Sequence, residues 1–419
     1  MLEKQQAWAG FLWKKIMLLL LLISLYIYIY NPPFAFLPLS ASKFLYIFLF
    51  PYFILNKQIR RKFFWLFTFE FFILLVIIVY SLGTCILNAV SDRTFFYVGI
   101  FILFEHFFFA FSIAYFLNKY YKGSIDTILL TVTTLASLIT LFLIMNPELN
   151  FLVKQFVLLP DETALKMDFR CFGVSESLTF AYAIVQGIAA SLCLEKCKNT
   201  PLMIILFALY LISITFNARI GFMPILFLLF YMAFFEKRFS RMLKTFAILG
   251  GLIIIFLSTD MAADYEKTIE WAGDFFEEIL GTLSGNKDMT SANMDVLLND
   301  MIVLPNSAGD WLFGTGENVF SSSIRNSDIG YLIQLNFGGL FYILLFCLLI
   351  GSLCYKYLKY VRTDRWFIFL FITSILVCSY KGLLLSSNAG FKMLMLLYFI
   401  YFIRANYTYF FVDSKKIEC

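Results

Sequence analysis

The sequence predicts an all-α, polytopic integral membrane protein, and two observations predict this class. Of the 419 residues, 61% are hydrophobic and 15% are charged, and the mean hydropathy is +0.82, unlike a soluble domain. The apolar residues also form runs of roughly 20, the length that a helix needs to cross ~30 Å of hydrocarbon with its backbone hydrogen bonds satisfied internally.

About twelve transmembrane helices in a single membrane domain, residues 1–419, account for these runs. We predict them at 14–31, 34–55, 63–88, 94–117, 124–145, 171–194, 200–217, 220–236, 242–258, 329–354, 366–385 and 389–411. The first run follows Lys14 and Lys15, and the sequence NPPF after it lacks a small-residue cleavage pattern. It is therefore interpreted as a retained helix.

Lysine and arginine collect in alternate connections between these runs. The groups are Lys57, Arg60, Arg61 and Lys62; Lys119 and Lys122; Lys196 and Lys198; Lys237, Arg238, Arg241 and Lys244; Lys356, Lys359, Arg362 and Arg365; and Lys415 with Lys416. The positive-inside rule makes these segments cytoplasmic, so both termini are predicted inside. The net charge of +5 then reports topology, and no nucleic-acid partner is expected because no basic stripe with interleaved aromatics lies outside the membrane.

Cysteine and histidine give no sign of a metal or redox site. None of the eight cysteines forms a CxxC pair, and the single histidine, His106, lies inside an apolar run. We therefore expect no metal and no cofactor.

Two connections remain for the outer side, a first periplasmic loop at 146–170 and a large, partly helical one at 259–328. The second is acidic, which the positive-inside rule tolerates. Within it, AADYEKTIEWAGDFFEEIL carries apolar residues at helical spacing beside an acidic face, which predicts a surface helix. That helix is either part of a site or purely structural.

Charged residues stand at the outer ends of several predicted helices. They are Arg170, Glu176, Arg219, Arg325, Asp328 and Lys381. An ionisable residue at membrane depth costs at least ~2.5–3.5 kcal/mol on insertion scales, so such residues usually mark a site or a pathway. The alternative is that each arginine snorkels to the lipid headgroups and anchors its helix.

A polyprenyl pyrophosphate would suit several arginines in a lipid-accessible cavity, because guanidinium groups bind phosphate oxygens in bidentate fashion and keep their charge when desolvated. Ser327 is predicted as the N-cap of the next helix, with Asp328 in its first turn and Tyr331 on the same face. Asp328 either is a helix-end residue whose carboxylate interacts favourably with the positive end of the helix dipole, or accepts a hydroxyl proton.

Three stretches resemble the Wzy-type O-antigen polymerases and, more distantly, the WaaL-type O-antigen ligases. They are RCFGVSESLTFAYA, ITFNARIGFMPILFLLF and LFGTGENVFSSSIRNSDIGYLIQLNFGGLFYILL. The order of the stretches, the twelve-helix plan and the two outer loops match along nearly the whole chain.

The resemblance implies a metal-independent glycosyltransferase in the bacterial inner membrane that polymerises O-antigen or capsular repeat units from undecaprenyl pyrophosphate-linked oligosaccharide. Arg170, Arg219 and Arg325 would bind the pyrophosphate, with Arg219 stabilising its developing charge. Asp328 would be the leading candidate for the general base, and Glu176 and Glu317 are the alternatives. Glu176 and Tyr331 would be supporting contacts. The membrane lipid and a chain-length regulator are the further partners implied.

Two other functions remain open. A ligase is disfavoured because ligases resemble one another in a histidine near the position of Asp328, and no outer-face histidine exists here. A flippase or transporter of lipid-linked oligosaccharide would carry charge deep along a central path. The inner ionisable residues are few, namely Glu70, Glu105 and His106, and are either packing contacts or shielded pairs.

Overall fold

The computed structural model describes residues 2–32, 34, 40–157, 170–175, 179–196, 201–240, 243, 247, 251, 301–320, 326–386 and 388–411. Over these ranges the chain is helical and contains no β-strand, which agrees with the predicted all-α class. The predicted span 242–258, the predicted helix at 262–280, Glu176 and Arg325 lie wholly or almost wholly outside the described residues.

The helices are labelled in chain order. They are α1 (Leu2–Tyr30), α2 (Ala41–Leu55), α3 (Lys57–Leu87), α4 (Thr94–Tyr120), α5 (Ile125–Ile144), α6 (Pro147–Val157), α7 (Thr179–Lys196), α8 (Pro201–Thr215), α9 (Met223–Phe234), α10 (Ala308–Phe313), α11 (Gly330–Tyr360), α12 (Arg365–Cys378), α13 (Ala389–Ala405) and α14 (Tyr407–Phe411).

Four of the described helices, α3, α4, α5 and α11, are long and apolar enough to cross a membrane. Four shorter apolar helices accompany them, at Lys15–Tyr30, Ala41–Leu55, Leu202–Thr215 and Arg219–Phe234. The composition and length of these helices support a membrane protein, as expected from the hydropathy of the sequence.

Helix α13 forms the centre of the bundle. Every residue from Ala389 to Ile403 is buried, and the helix packs against α4, α7 and α1. Aromatic rings fill much of the contact with α4, for example Phe111 against Phe399 with ring centroids 5.4 Å apart. A helix that is apolar on all sides is expected only where neighbours surround it completely.

Ion pairs account for the acidic residues inside α3, α4 and α5, and the Glu105–Lys392 pair is fully buried. Glu105 pairs with Lys392 at 3.0 Å, Glu70 with Lys356 at 2.5 Å, and Asp126 with Arg404 at 3.0 Å. Removing one partner of a fully buried pair typically costs ~3–5 kcal/mol, because the other charge is left without compensation. These three pairs join α4 to α13, α3 to α11 and α5 to α13.

The start of α7 differs from the sequence prediction. The helix begins at Thr179, whereas hydropathy placed it at 171. Residues 170–175 are not helical, and Gly173 has a φ of +58°, a conformation that favours glycine. The apolar character of this segment reflects burial against its neighbours, so hydropathy alone could not separate it from the helix.

Two glycines bring α7 into close contact with the turn that precedes α9. A Cβ atom added to Gly187 would lie 2.1 Å from the carbonyl oxygen of Gly221, and one added to Gly221 would lie 2.5 Å from that of Ala183. No side chain fits at either contact. The 3₁₀ turn Arg219–Phe222 is therefore held directly against the helix.

Candidate functional site

The candidate site is built around the break between α8 and α9. The side-chain amide nitrogen of Asn217, Nδ2, donates to the backbone carbonyl oxygens of Ser213 and Cys171, at 2.7 Å each. The backbone N–H of Cys171 donates to the carbonyl of Phe216 at 3.4 Å. These bonds attach segment 170–175 to the end of α8, which brings Arg170 and Arg219 to the same end of the bundle.

Arg170 and Arg219 influence each other electrostatically. Arg219 is only 9% exposed, and Arg170 is half-buried. Burial, and then the positive charge of Arg219, lower the pKa of the Arg170 guanidinium. Two cations held close together inside a protein create a region of positive potential that favours an anionic ligand.

Lys154 adds a third cation that the sequence analysis missed. It lies on α6, where Asn150 donates to the carbonyl of Arg170 at 3.3 Å. Lys154 is 4% exposed, and its Nζ lies 5.5 Å from the ring centroid of Phe172. Burial raises the pKa of the Cys171 thiol to about 12, and the charge of Lys154 opposes this shift, which places the ammonium beside segment 170–175.

We call Lys154, Arg170 and Arg219 the cationic cluster. The sequence did contain a signal for Lys154, because Asn150 and Lys154 are four residues apart and share one helical face. The prediction treated 146–170 as a loop, whereas residues Pro147–Val157 form a helix. The cluster joins three segments that are distant in sequence, α6, 170–175 and the turn before α9.

The predicted N-cap at Ser327 is wrong by two residues. Helix α11 begins at Gly330 with Ile329 at the N-cap position, and its first turn contains no acidic residue. The Ser327 hydroxyl donates to the carbonyl of Met301 at 2.7 Å and accepts from the N–H of Ile329 at 3.2 Å. Ser327 therefore fixes the loop, and Asp328 stands before the helix, half-buried.

Tyr331 has a partner inside the protein. Its hydroxyl donates to the carbonyl oxygen of Leu376 near the end of α12. This bond ties the first turn of α11 to α12.

The starts of α7 and α11 and the connection after α12 pack against one another near Asp328. A Cβ on Gly330 would lie 2.3 Å from the carbonyl oxygen of Gly382, and one on Gly382 would lie 2.8 Å from the ring of Phe180 in the first turn of α7. Because α7 also contacts the turn carrying Arg219, Asp328 and the cationic cluster lie at the same end of the bundle. Among the described residues, no ion pair joins Asp328 to Arg170 or Arg219.

The loop before Asp328 is fixed to a break in α11. Gly339 has a φ of +68° within that helix, which interrupts the helical hydrogen bonding. The backbone carbonyl oxygens of Asn336 and Phe337 instead accept hydrogen bonds from the N–H groups of Thr315 and Gly316, at 2.8 and 2.9 Å. The side chain of Asn336 donates to Val303 at 2.7 Å. Residues 301–320 thus form an ordered support for Asp328.

The single histidine is buried in the bundle. His106 lies within a π-helical stretch of α4, Ile102–Phe109, and its Nε2 atom lies 3.0 Å from the carbonyl oxygen of Ser386.

Comparison with protein-family models, curated proteins and solved structures found no match to this chain.

Proposed function

We propose that this chain polymerises lipid-linked O-antigen or capsular repeat units by glycosyl transfer from a polyprenyl pyrophosphate-linked glycan. In this proposal it spans the bacterial inner membrane about twelve times, with both termini cytoplasmic, and acts at the outer face. One observation carries the proposal: three cationic side chains from separate segments lie on or around segment 170–175, at one end of an apolar helical bundle. This arrangement suits a lipid with an anionic head.

The chemistry requires a group that binds the departing pyrophosphate. As the bond between the anomeric carbon and the phosphate oxygen breaks, negative charge grows on that oxygen, and preorganised cations lower the energy of this state more than that of the substrate. Arg170 and Arg219 would bind the pyrophosphate in bidentate fashion. Lys154 would contribute a point charge.

The acceptor sugar must lose a hydroxyl proton as its oxygen bonds to the anomeric carbon. Asp328 is the carboxylate proposed to accept it. Residues on both sides of Asp328 are anchored by hydrogen bonds. The Ser327 hydroxyl donates to the carbonyl of Met301, and the Tyr331 hydroxyl donates to the carbonyl of Leu376. Arg325 and Glu176 keep their proposed binding roles, and a chain-length regulator is a proposed partner.

Two observations favour a polymerase over the alternatives. The single histidine is buried against Ser386, so it does not supply the histidine that the ligase resemblance requires near Asp328. The acids inside α3 and α4, Glu70 and Glu105, are each paired with a lysine. Such neutralised pairs fit helix packing better than a charged transport path.

Deletion of the gene followed by lipopolysaccharide electrophoresis tests the proposal. A polymerase defect leaves a single repeat on each core, because transfer to the core continues without chain growth. Free undecaprenyl-linked polymer would instead identify a ligase, and loss of all outer-leaflet intermediates would identify a flippase. Either of these two results would contradict the proposal.

Lys154→Gln is expected to raise the KM for the lipid donor about tenfold, since a hydrogen bond to a charged group contributes ~1.5–3 kcal/mol. The turnover rate should change less, because the lysine binds the phosphate in substrate and transition state alike. Lys43→Gln is the matched control, because Lys43 is exposed at the start of α2. Equal KM values in the two variants would exclude Lys154 from the donor site.

A further inference from the structure

Helix α6 has an unusual distribution of side chains. Two of its polar residues, Asn150 and Lys154, four positions apart, are buried, whereas several of its apolar residues are exposed. A helix on a soluble surface shows the opposite arrangement, with its apolar stripe toward the core. The outward face of α6 therefore requires a partner that is itself apolar.

The exposed side of α6 carries an apolar edge and a polar line. Leu149, Leu152 and Phe156 follow the spacing i, i+3, i+7 and are exposed, Leu152 by 46% and Phe156 by 63%. Glu148 and Gln155, seven residues apart, are also exposed and lie on a separate line of the helix. Phe151, exposed by 46%, lies on the far side of this polar line from Leu152, next to the buried face that carries Lys154.

The apolar edge continues a surface of the preceding helix. Four exposed residues form one strip along α5, at the spacing i, i+3, i+7 and i+10: Leu135, Leu138, Phe142 and Met145. Helix α5 has 20 residues and is apolar enough to cross a membrane, and at ~1.5 Å per residue it covers the hydrocarbon thickness by itself. Helix α6 follows within two residues, so it starts at the membrane surface.

We infer that α6 lies in the plane of the membrane interface, with Leu149, Leu152 and Phe156 inserted among the acyl chains of the bilayer. Glu148 and Gln155 face the water. The partner of this surface is lipid, because the apolar edge is continuous with the lipid-facing strip of α5. This placement does not depend on glycosyl transfer.

The inference fixes the depth of the cationic cluster. An interfacial helix sits ~5–10 Å into the boundary between headgroups and acyl chains, so Lys154 lies at the level of the lipid phosphates. A cavity of about 570 Å³ runs along α6 and is lined by Phe151 and Leu152 as well as by Lys154. Lys154 and two apolar side chains of α6 therefore line one shared cavity.

A quenching experiment on the full chain in lipid nanodiscs tests this placement. A fluorescent unnatural side chain is introduced at Leu152 or Phe156 and, as matched controls on the same helix, at Glu148 or Gln155. Lipids brominated near the top of the acyl chain report contact with hydrocarbon, and iodide reports contact with water. The ratio of bromolipid to iodide quenching should exceed unity at Leu152 and Phe156 and fall below unity at Glu148 and Gln155.

Two outcomes would overturn the inference. Iodide quenching at all four positions would show a helix in water, and absence of quenching by either reagent at Leu152 and Phe156 would show that protein covers the apolar edge. Leu149 provides a third apolar position if one of the labelled chains does not fold, as judged by size-exclusion chromatography.

Discussion

Arg219→Ala is expected to abolish polymer growth while the chain still inserts into the membrane. Removing one preorganised group that stabilises developing negative charge lowers turnover by roughly 10²–10³-fold. The turn itself should persist, because backbone bonds hold it: the N–H of Ala218 donates to Ile214 at 3.0 Å, and that of Gly221 donates to Ala218 at 3.0 Å. Lipopolysaccharide electrophoresis of a deletion strain carrying the variant measures the effect.

The control for Arg219→Ala is Arg238→Ala. Arg238 follows α9, is 45% exposed and pairs with Glu236 at 3.1 Å, so its loss removes one positive charge away from the cationic cluster. Arg219→Lys should retain part of the activity, since it keeps the charge and loses the bidentate geometry. Polymer of normal length in Arg219→Ala would refute the role assigned to Arg219.

Asp328→Asn is expected to stop chain growth and to leave binding of the lipid pyrophosphate intact. The amide has the same shape and cannot accept a proton, and general-base catalysis typically contributes ~10²–10⁴-fold. Binding should persist because the cationic cluster comes from other segments. The measurement pairs a turnover assay with the dissociation constant for polyprenyl pyrophosphate in the same preparation.

Asp310→Asn serves as the matched control for Asp328→Asn. Asp310 lies in the same loop and accepts a hydrogen bond from the N–H of Ser307 at 3.1 Å, which an asparagine can also accept. Wild-type turnover in Asp328→Asn would reject the general-base assignment. Loss of lipid binding together with turnover would assign Asp328 to binding.

Hydropathy predicted the helical bundle well because a run of apolar residues long enough to span a membrane has few alternatives. The break at NARIG was also predictable, since an arginine interrupts two apolar runs there, and the structure places the turn Arg219–Phe222 at that point. The distribution of lysine and arginine predicts that both termini are cytoplasmic, and this orientation stays a prediction.

Local details were harder to predict where tertiary hydrogen bonds override hydropathy. Hydropathy places residues 171–175 in a helix, yet Asn217 and Phe216 bind the backbone of Cys171 and attach this segment to the end of α8. Ser327 has the residue type of an N-cap, but its hydroxyl is engaged by Met301. The break at Gly339 depends on loop 301–320 binding the released carbonyls, which no local pattern reveals.

The most direct measurement uses the purified chain in nanodiscs with a synthetic polyprenyl pyrophosphate-linked repeat unit as the sole sugar source. The proposal predicts a ladder of products, each one repeat longer than the last. One polyprenyl pyrophosphate should be released for each glycosidic bond that forms. The ladder should disappear in Arg219→Ala and persist in Arg238→Ala. Bound donor that is never elongated by the wild-type chain, even with acceptor in excess, would contradict the proposal.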